Sequence, residues 1–289
     1  MRYEYDSKHN VHIQAFDSIQ DCEDAMPASL EVCDDRNVVS QASWHGFPQD
    51  VDFRVNETLD AIKLTAFTSP SDIGRIEKIL SEIPMDKIPR PMVRRRKRIL
   101  SECGEELNVD RLLQNDPECY ETYQRTPRVG LQRATIMFSS TASASVRPEA
   151  IFWRGATAVA LCQLLEIAGW SCRLIASSFT RANYANDSHS ALMVIAKDYG
   201  TPLCLSSISS IAPSWFFRAV FMQLESHPSI NSRVNPWHGY PESIYANYPQ
   251  AAIKRVFTDQ NATILIDGIW NCDASVRFIT ETINALDSQ

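Results

Sequence analysis

Three side-chain hydroxyls at alternate positions, Thr141, Ser143 and Ser145, follow a short apolar run that ends at Phe138. A carboxylate, Asp267, follows a second such run, Ala262 to Ile266, and is itself followed by Gly268. Hydroxyl oxygens beside a carboxylate are the donors taken by a hard divalent ion, Mg²⁺ or Mn²⁺, and Mg²⁺ demands near-octahedral geometry with several retained waters. The same hydroxyls also suit a turn that caps a helix N-terminus, because Ser and Thr oxygens accept from its free N–H groups. Asp267 with Glu149 would make a paired-carboxylate acid–base site. Cys172 with His189 would make a thiol–imidazole pair, although Cys172 opens an apolar run where a buried structural thiol is the plainer reading. His9 and His12 could share a helix face, against exposed side chains in a polar tail. Trp237, His238 and Tyr240 lie in an aromatic-rich stretch (227–249) that reads as a partner-binding loop, or as a loop packed over its own domain. The run Arg90 to Arg98 has six basic residues in nine and no acid. Its Arg94, Arg95, Arg96, Lys97 and Arg98 offer contacts to an acidic partner or to a phosphate backbone, without a flanking aromatic series for base stacking.

These residues need elements to hold them. Ala134 to Phe138 reads as a buried strand, Glu149 to Ala168 as a helix and Cys172 to Ala176 as a second strand. The helix is apolar on most of its girth (Ile151, Phe152, Val159, Leu164, Leu165, Ile167), with Glu149, Arg154 and Glu166 as its few charges. Such a helix packs inside a large core. Pro148 suits a first turn and Gly169 a left-handed C-cap. Strand, crossover helix and strand make a βαβ unit, so a parallel sheet is expected, with ligands gathering at the C-terminal ends of its strands. Ala191 to Ala196 and Ala262 to Ile266 read as further strands. Asp72 to Ile83, Asn108 to Gln114, Pro213 to Leu224, Tyr248 to Phe257 and Ala274 to Leu286 read as helices.

The motif Thr141-x-Ser143-x-Ser145 resembles the D-x-S-x-S of von Willebrand factor A-like domains, in particular their cobalt-chelatase-like branch. Thr141 falls on the Asp and the two serines fall on the serines. Leu165-Glu166, Gly169 and Phe179-Thr180-Arg181 resemble that branch too, Ile266-Asp267-Gly268 is similar to its S/T-D-G, and Ala212-Pro-Ser-Trp215 is similar to a helix opening. The resemblance covers about residues 131 to 289. It implies a doubly wound, mostly parallel α/β sheet of five or six strands with a metal-ion-dependent adhesion site, degenerate here because Thr141 replaces one of two carboxylates. It implies Thr141, Ser143, Ser145 and Asp267 as that site. It also implies non-enzymatic protein binding, in which a partner's acidic side chain commonly completes the cation's coordination. In that branch the partner is typically a ring-forming AAA+ ATPase.

The other half is read as a smaller α+β module over residues 1–130, with the domain of von Willebrand A type over 131–289. The first sixty residues hold 13 Asp/Glu against 4 Lys/Arg, and neither helical nor extended periodicity is strong there. Residues 101–130, with the Trp44-His45-Gly46 loop upstream, resemble uncharacterised proteins of bacteriophages and mobile elements, so a virion-associated structural component is an alternative function, and nucleic-acid association through residues 90–98 is another. The composition, 44% hydrophobic and 22% charged with a net charge of −7, is that of a soluble protein rather than a nucleic-acid coat. No Cys-x-x-Cys pair occurs among the eight cysteines, which agrees with reduced thiols in a cytoplasm. No secretory leader or membrane span is read. Phosphate-loop, dinucleotide-loop, zinc-helix and nucleophile-elbow motifs are absent, so an enzyme is not expected.

Overall fold

The computed structural model describes residues 2–8, 10–25, 70–88, 97–101, 106–114, 116–124, 132–143, 145–181, 189–202, 211–213, 216, 221, 224, 240–257 and 262–287. The chain divides into two compact units, Met1–Pro89 with Arg133–Gln289, and Arg90–Gln132.

The larger unit is built on a mixed sheet. Its strands are β1 (Arg2–Asp6), β2 (Val11–Phe16), β6 (Arg133–Ser139), β7 (Ser171–Arg181), β8 (His189–Lys197), β9 (Tyr240–Pro241) and β10 (Ala262–Ile266). Their order is β1-β2-β8-β7-β6-β10, with β9 also pairing to β7. β6 is parallel to both β7 and β10, and β2 is parallel to β8. β1–β2, β7–β8 and β7–β9 are antiparallel. The architecture is therefore α/β with a mixed sheet. The expected parallel βαβ unit is present, joined by α4 (Pro148–Ile167), whereas the third strand runs the other way.

Side chains alternate across the sheet as the two-residue period requires. Ile136, Phe138, Leu174, Ala176, Leu192 and Val194 enter one apolar cluster with residues of α1 (Ile19–Asp24), α2 (Pro70–Glu82), α4 and α6 (Cys272–Asp287). Met137, Ile175, Phe179, Met193, Val11 and Ile13 enter a second cluster with α5 (Asn247–Val256). The strands are thus apolar on both faces because helices cover both. α4 is long and apolar enough to cross a bilayer, yet 72% of that window is buried in protein. It ends as expected: Gly169 at φ 99° lets its N–H reach the Glu166 carbonyl (2.9 Å) and the Trp170 N–H reach that of Leu165 (3.0 Å), a Schellman closure.

Two expectations about the N-terminal half are corrected. Residues 2–16 form two strands of the main sheet, so the boundary at 130 does not separate the compact units. The cause lies in β2, where His12 and Gln14 interrupt the apolar positions and blunt the pattern, although Gln14 is buried. His12 stands on a strand with its Nδ1 2.7 Å from the Tyr3 hydroxyl, so it shares no helix face; His9 lies outside the described residues. The smaller unit holds β3 (Lys97–Ser101), β4 (Glu106–Leu107), α3 (Val109–Leu113) and β5 (Tyr120–Gln124), with antiparallel order β3-β5-β4. Asn108 caps α3 by accepting from the Arg111 N–H. Lys97 and Arg98 begin β3. Arg94, Arg95, Arg96, Trp237, His238 and most of the helix expected from Pro213 to Leu224 lie outside the described residues. Tyr240 pairs by its backbone with Arg181.

Candidate functional site

β6 and β10 lie side by side in parallel register, from Ala134 opposite Ala262 to Phe138 opposite Ile266. The chains leaving their C-terminal ends therefore emerge together, and they carry Thr141 and Asp267. Ser143 and Ser145 are exposed in the same outgoing loop, with their hydroxyls 3.1 Å apart. The expected shared rim exists.

The hydroxyls there do another task. β7 outruns β6, which would leave its backbone groups without partners. Ser140 donates through both its N–H (2.9 Å) and its hydroxyl (2.8 Å) to the Ser177 carbonyl. Thr141 Oγ1 accepts the Phe179 N–H at 2.8 Å and donates to Ser178 Oγ at 3.2 Å. Side chains thus extend the ladder past the last strand residue. They do not cap α4, whose N-cap is Arg147 with no side-chain bond; the capping expectation is corrected because Thr141 bonds to β7 while Ser143 and Ser145 bond to each other.

The centre of the rim is Arg154. It stands on the second turn of α4, its side chain 3% exposed. Its Nη1 donates to the carbonyls of Thr141 (2.6 Å) and Ser139 (3.1 Å) and lies 3.3 Å from Asp267 Oδ1. Its guanidinium carbon is 4.0 Å from the Trp270 ring centroid. Burial pulls the guanidinium below its ordinary pKa and Asp267 opposes that; it stays protonated, as arginine does in proteins. Asp267, 14% exposed, is held further by Ser243 Oγ and the Ile244 N–H on Oδ2 (2.9 and 3.3 Å) and by the Gly268 N–H on Oδ1 (2.8 Å). Gly268 adopts φ 70° to make that turn. Tyr245 donates its hydroxyl to the Leu265 carbonyl at 2.9 Å, and its phenol is pushed up by burial first and by the Asp267 charge second.

This arrangement does not fit Mg²⁺ or Mn²⁺. Such an ion would sit about 2.1 Å from each ligand oxygen. A buried guanidinium already occupies the neighbourhood of Asp267 with charge of the same sign, and the Thr141 hydroxyl is buried and turned to the Phe179 N–H and Ser178 Oγ of β7. Glu149 is exposed at the start of α4 and makes no pair with Asp267, which has taken Arg154. Cys172 and His189 are also apart: His189 lies opposite Arg181, nine residues along β7 from Cys172, which is about 30 Å of strand. His189 stacks on Tyr248 instead, with centroids 4.0 Å apart.

Sequence reasoning missed Arg154, Ser243, Tyr245 and Trp270. Arg154 left one legible trace, since a lone charge inside an apolar helix must find a buried partner or reach water. Ser243 and Tyr245 left none, because β9 and the turn after it are too short to show a period.

A search of curated proteins and a search of solved structures each return no match. Over residues 4–288 the sequence matches the model of a family described as Domain of unknown function (DUF7192). That span is nearly the whole chain, and the protein belongs to this family.

Proposed function

We propose that the rim formed by the ends of β6 and β10 is a protein-binding surface of von Willebrand A type that works without a metal ion. The observation that carries this reading is the Arg154–Asp267 pair, in which a side chain of the protein supplies the positive charge next to the late aspartate. Around that balanced pair stand exposed groups suited to a partner: Trp270 (42% exposed), Tyr245 (56%), Ser143 and Ser145. Aromatic anchors with adaptable hydroxyls beside them are what interface centres favour. The parallel β10-β6-β7 core and its crossover helix support the fold part of the proposal. Helices on both faces support it further.

By the resemblance of Thr141-x-Ser143-x-Ser145, the partner is a ring-forming AAA+ ATPase and the role is non-enzymatic. Affinity capture from the native host, with wild type and Trp270→Ala in parallel and with EDTA present, tests this. An ATPase retained by wild type in EDTA and lost from the variant is the expected result. Equal capture by both, or capture that EDTA abolishes, would contradict it. Steeply salt-dependent nucleic-acid binding, removed by changing Arg94 to Arg98 to Ser, would instead favour a nucleic-acid role.

A further inference from the structure

The opposite rim of the sheet, where β6 and β7 begin, carries a second cluster. Cys162 and Glu166 lie one turn apart on α4, and Cys172 is the second residue of β7, just beyond the Gly169 turn. The two Sγ atoms and a Glu166 carboxylate oxygen all lie within 4.8 Å of one another. In a tetrahedral zinc–thiolate centre the metal–sulfur bond of about 2.3 Å sets ligand atoms roughly 3.5–3.8 Å apart, so a contraction of about 1.3 Å or less closes the set. The Schellman turn and the β6–β7 pairing of Ala134 with Cys172 hold the two sulfur-bearing elements together.

Charge balance selects the ion. Lys197, its side chain 1% exposed, places Nζ 2.5 Å from Glu166 Oε1 and donates to the carbonyls of Cys172 (2.8 Å) and Asp198 (3.2 Å). With both thiols protonated, the cluster holds one negative and one positive charge. A divalent ion that displaces both thiol protons adds two positive charges and exposes two negative ones, leaving the sum at zero. The buried site meets no net charge on loading, which is the condition for stability in a low-dielectric interior. Hard ions do not displace thiol protons well, whereas zinc and its thiophilic analogues do.

We propose that Cys162, Glu166 and Cys172 form a binding site for a thiophilic divalent cation, zinc by class, with a fourth position open toward the partly exposed Glu166 side. Loading is an exchange without redox change: two S–H bonds break, two metal–sulfur bonds form, and both protons leave to solvent. The same thiols could instead be oxidised to a disulfide if an oxidant removed two electrons and two protons; that is a competing outcome.

The test uses full-length protein, reduced and metal-free, titrated with Co²⁺ without oxygen. A thiolate-to-cobalt charge-transfer band that saturates at one equivalent and is displaced by Zn²⁺ is expected. Cys172→Ser and Cys162→Ser should abolish the band, Glu166→Gln should weaken binding about tenfold or more, and Cys272→Ala should leave it intact. If the serine variants do not fold, Zn²⁺ raising the thermal midpoint of wild type and Cys272→Ala, but not of Glu166→Gln to the same degree, carries the result. No band in a folded protein with titratable free thiols would overturn the proposal. A band indifferent to Cys172→Ser, or a Cys162–Cys172 disulfide forming readily in a protein that takes up no metal, would do so too.

Discussion

The two rims of the sheet each neutralise a carboxylate with a buried cation, and they do so with different chemistry. At the outgoing rim the pair is Asp267 with Arg154, and at the incoming rim it is Glu166 with Lys197. Arginine's Nη1 is turned to the carbonyl of Ser139 at the end of β6 and that of Thr141 in the outgoing loop, as well as to the carboxylate, so one side chain fastens strand end, loop and helix. There both Asp267 oxygens and Thr141 Oγ1 already have proton donors beside them, and Ser143 and Ser145 bond to each other. Lysine is a point charge on two carbonyls and Glu166, and it leaves two sulfur atoms within reach. The same electrostatic solution therefore closes one rim to hard ions and leaves the other able to trade protons for a soft one.

Breaking the first pair is the strongest way to test that contrast. Arg154→Met should lower stability by about 3–5 kcal/mol, since it strands a part-buried carboxylate and two carbonyls. Asp267→Asn should cost less, about 1–3 kcal/mol: its one carbonyl oxygen can still accept either from Ser243 and Ile244 or from Gly268, and Arg154 keeps its two carbonyls. Urea unfolding of both variants and of the double variant gives the coupling; independent, additive losses would separate the two residues.

The mounting of α4 can be tested next. A Cβ at Gly155 would stand 2.4 Å from Ala212 Cα and 2.8 Å from its Cβ. Overpacking of about 1–3 kcal/mol outweighs the gain of roughly 0.5–1 kcal/mol from replacing a helical glycine, so Gly155→Ala should lower the thermal midpoint. A rise would show that the approach relaxes. Trp270→Ala should change stability only by about 0.5–1 kcal/mol, the worth of its contact with Arg154, while removing partner capture.

The smallest effect concerns acid. Burial raises the Asp198 pKa, but the hydrogen bonds from Arg173 and the Tyr199 N–H, with the charges of Arg173 and Lys197, outweigh it and hold the carboxyl below its usual range. Its folded pKa is below the unfolded one, so its stabilisation is complete above about pH 4–5 and is lost as pH falls through the lower folded value. Asp198→Asn should flatten the acid limb of midpoint against pH in that window; an unchanged limb would contradict this.

Strong periodicity made much of the larger unit readable. The late strand falls at Ala262–Ile266 as read, and α4 begins at Pro148 and ends at Ile167 within one residue of expectation. The Gly169 cap follows from backbone sterics alone. Orientation was not readable: β8 is as apolar as a parallel strand, and nothing in Ala191 to Ala196 records that it runs antiparallel to β7. β1 and β2 were hidden because exposed Tyr3 and Tyr5, half-buried His12 and buried Gln14 break the match between side-chain polarity and burial. The hydroxyl motif was visible, but its use was not. Whether Thr141 faces an ion or the Phe179 N–H depends on β7 outlasting β6, a relation between two distant segments.

The most direct measurement is the thermal midpoint of wild type across a Mg²⁺ or Mn²⁺ titration, beside Asp267→Asn. With Arg154 holding the rim closed, both proteins should show the same small, nonspecific response. A saturable rise in wild type that Asp267→Asn removes would mean that the ion, not Arg154, neutralises Asp267.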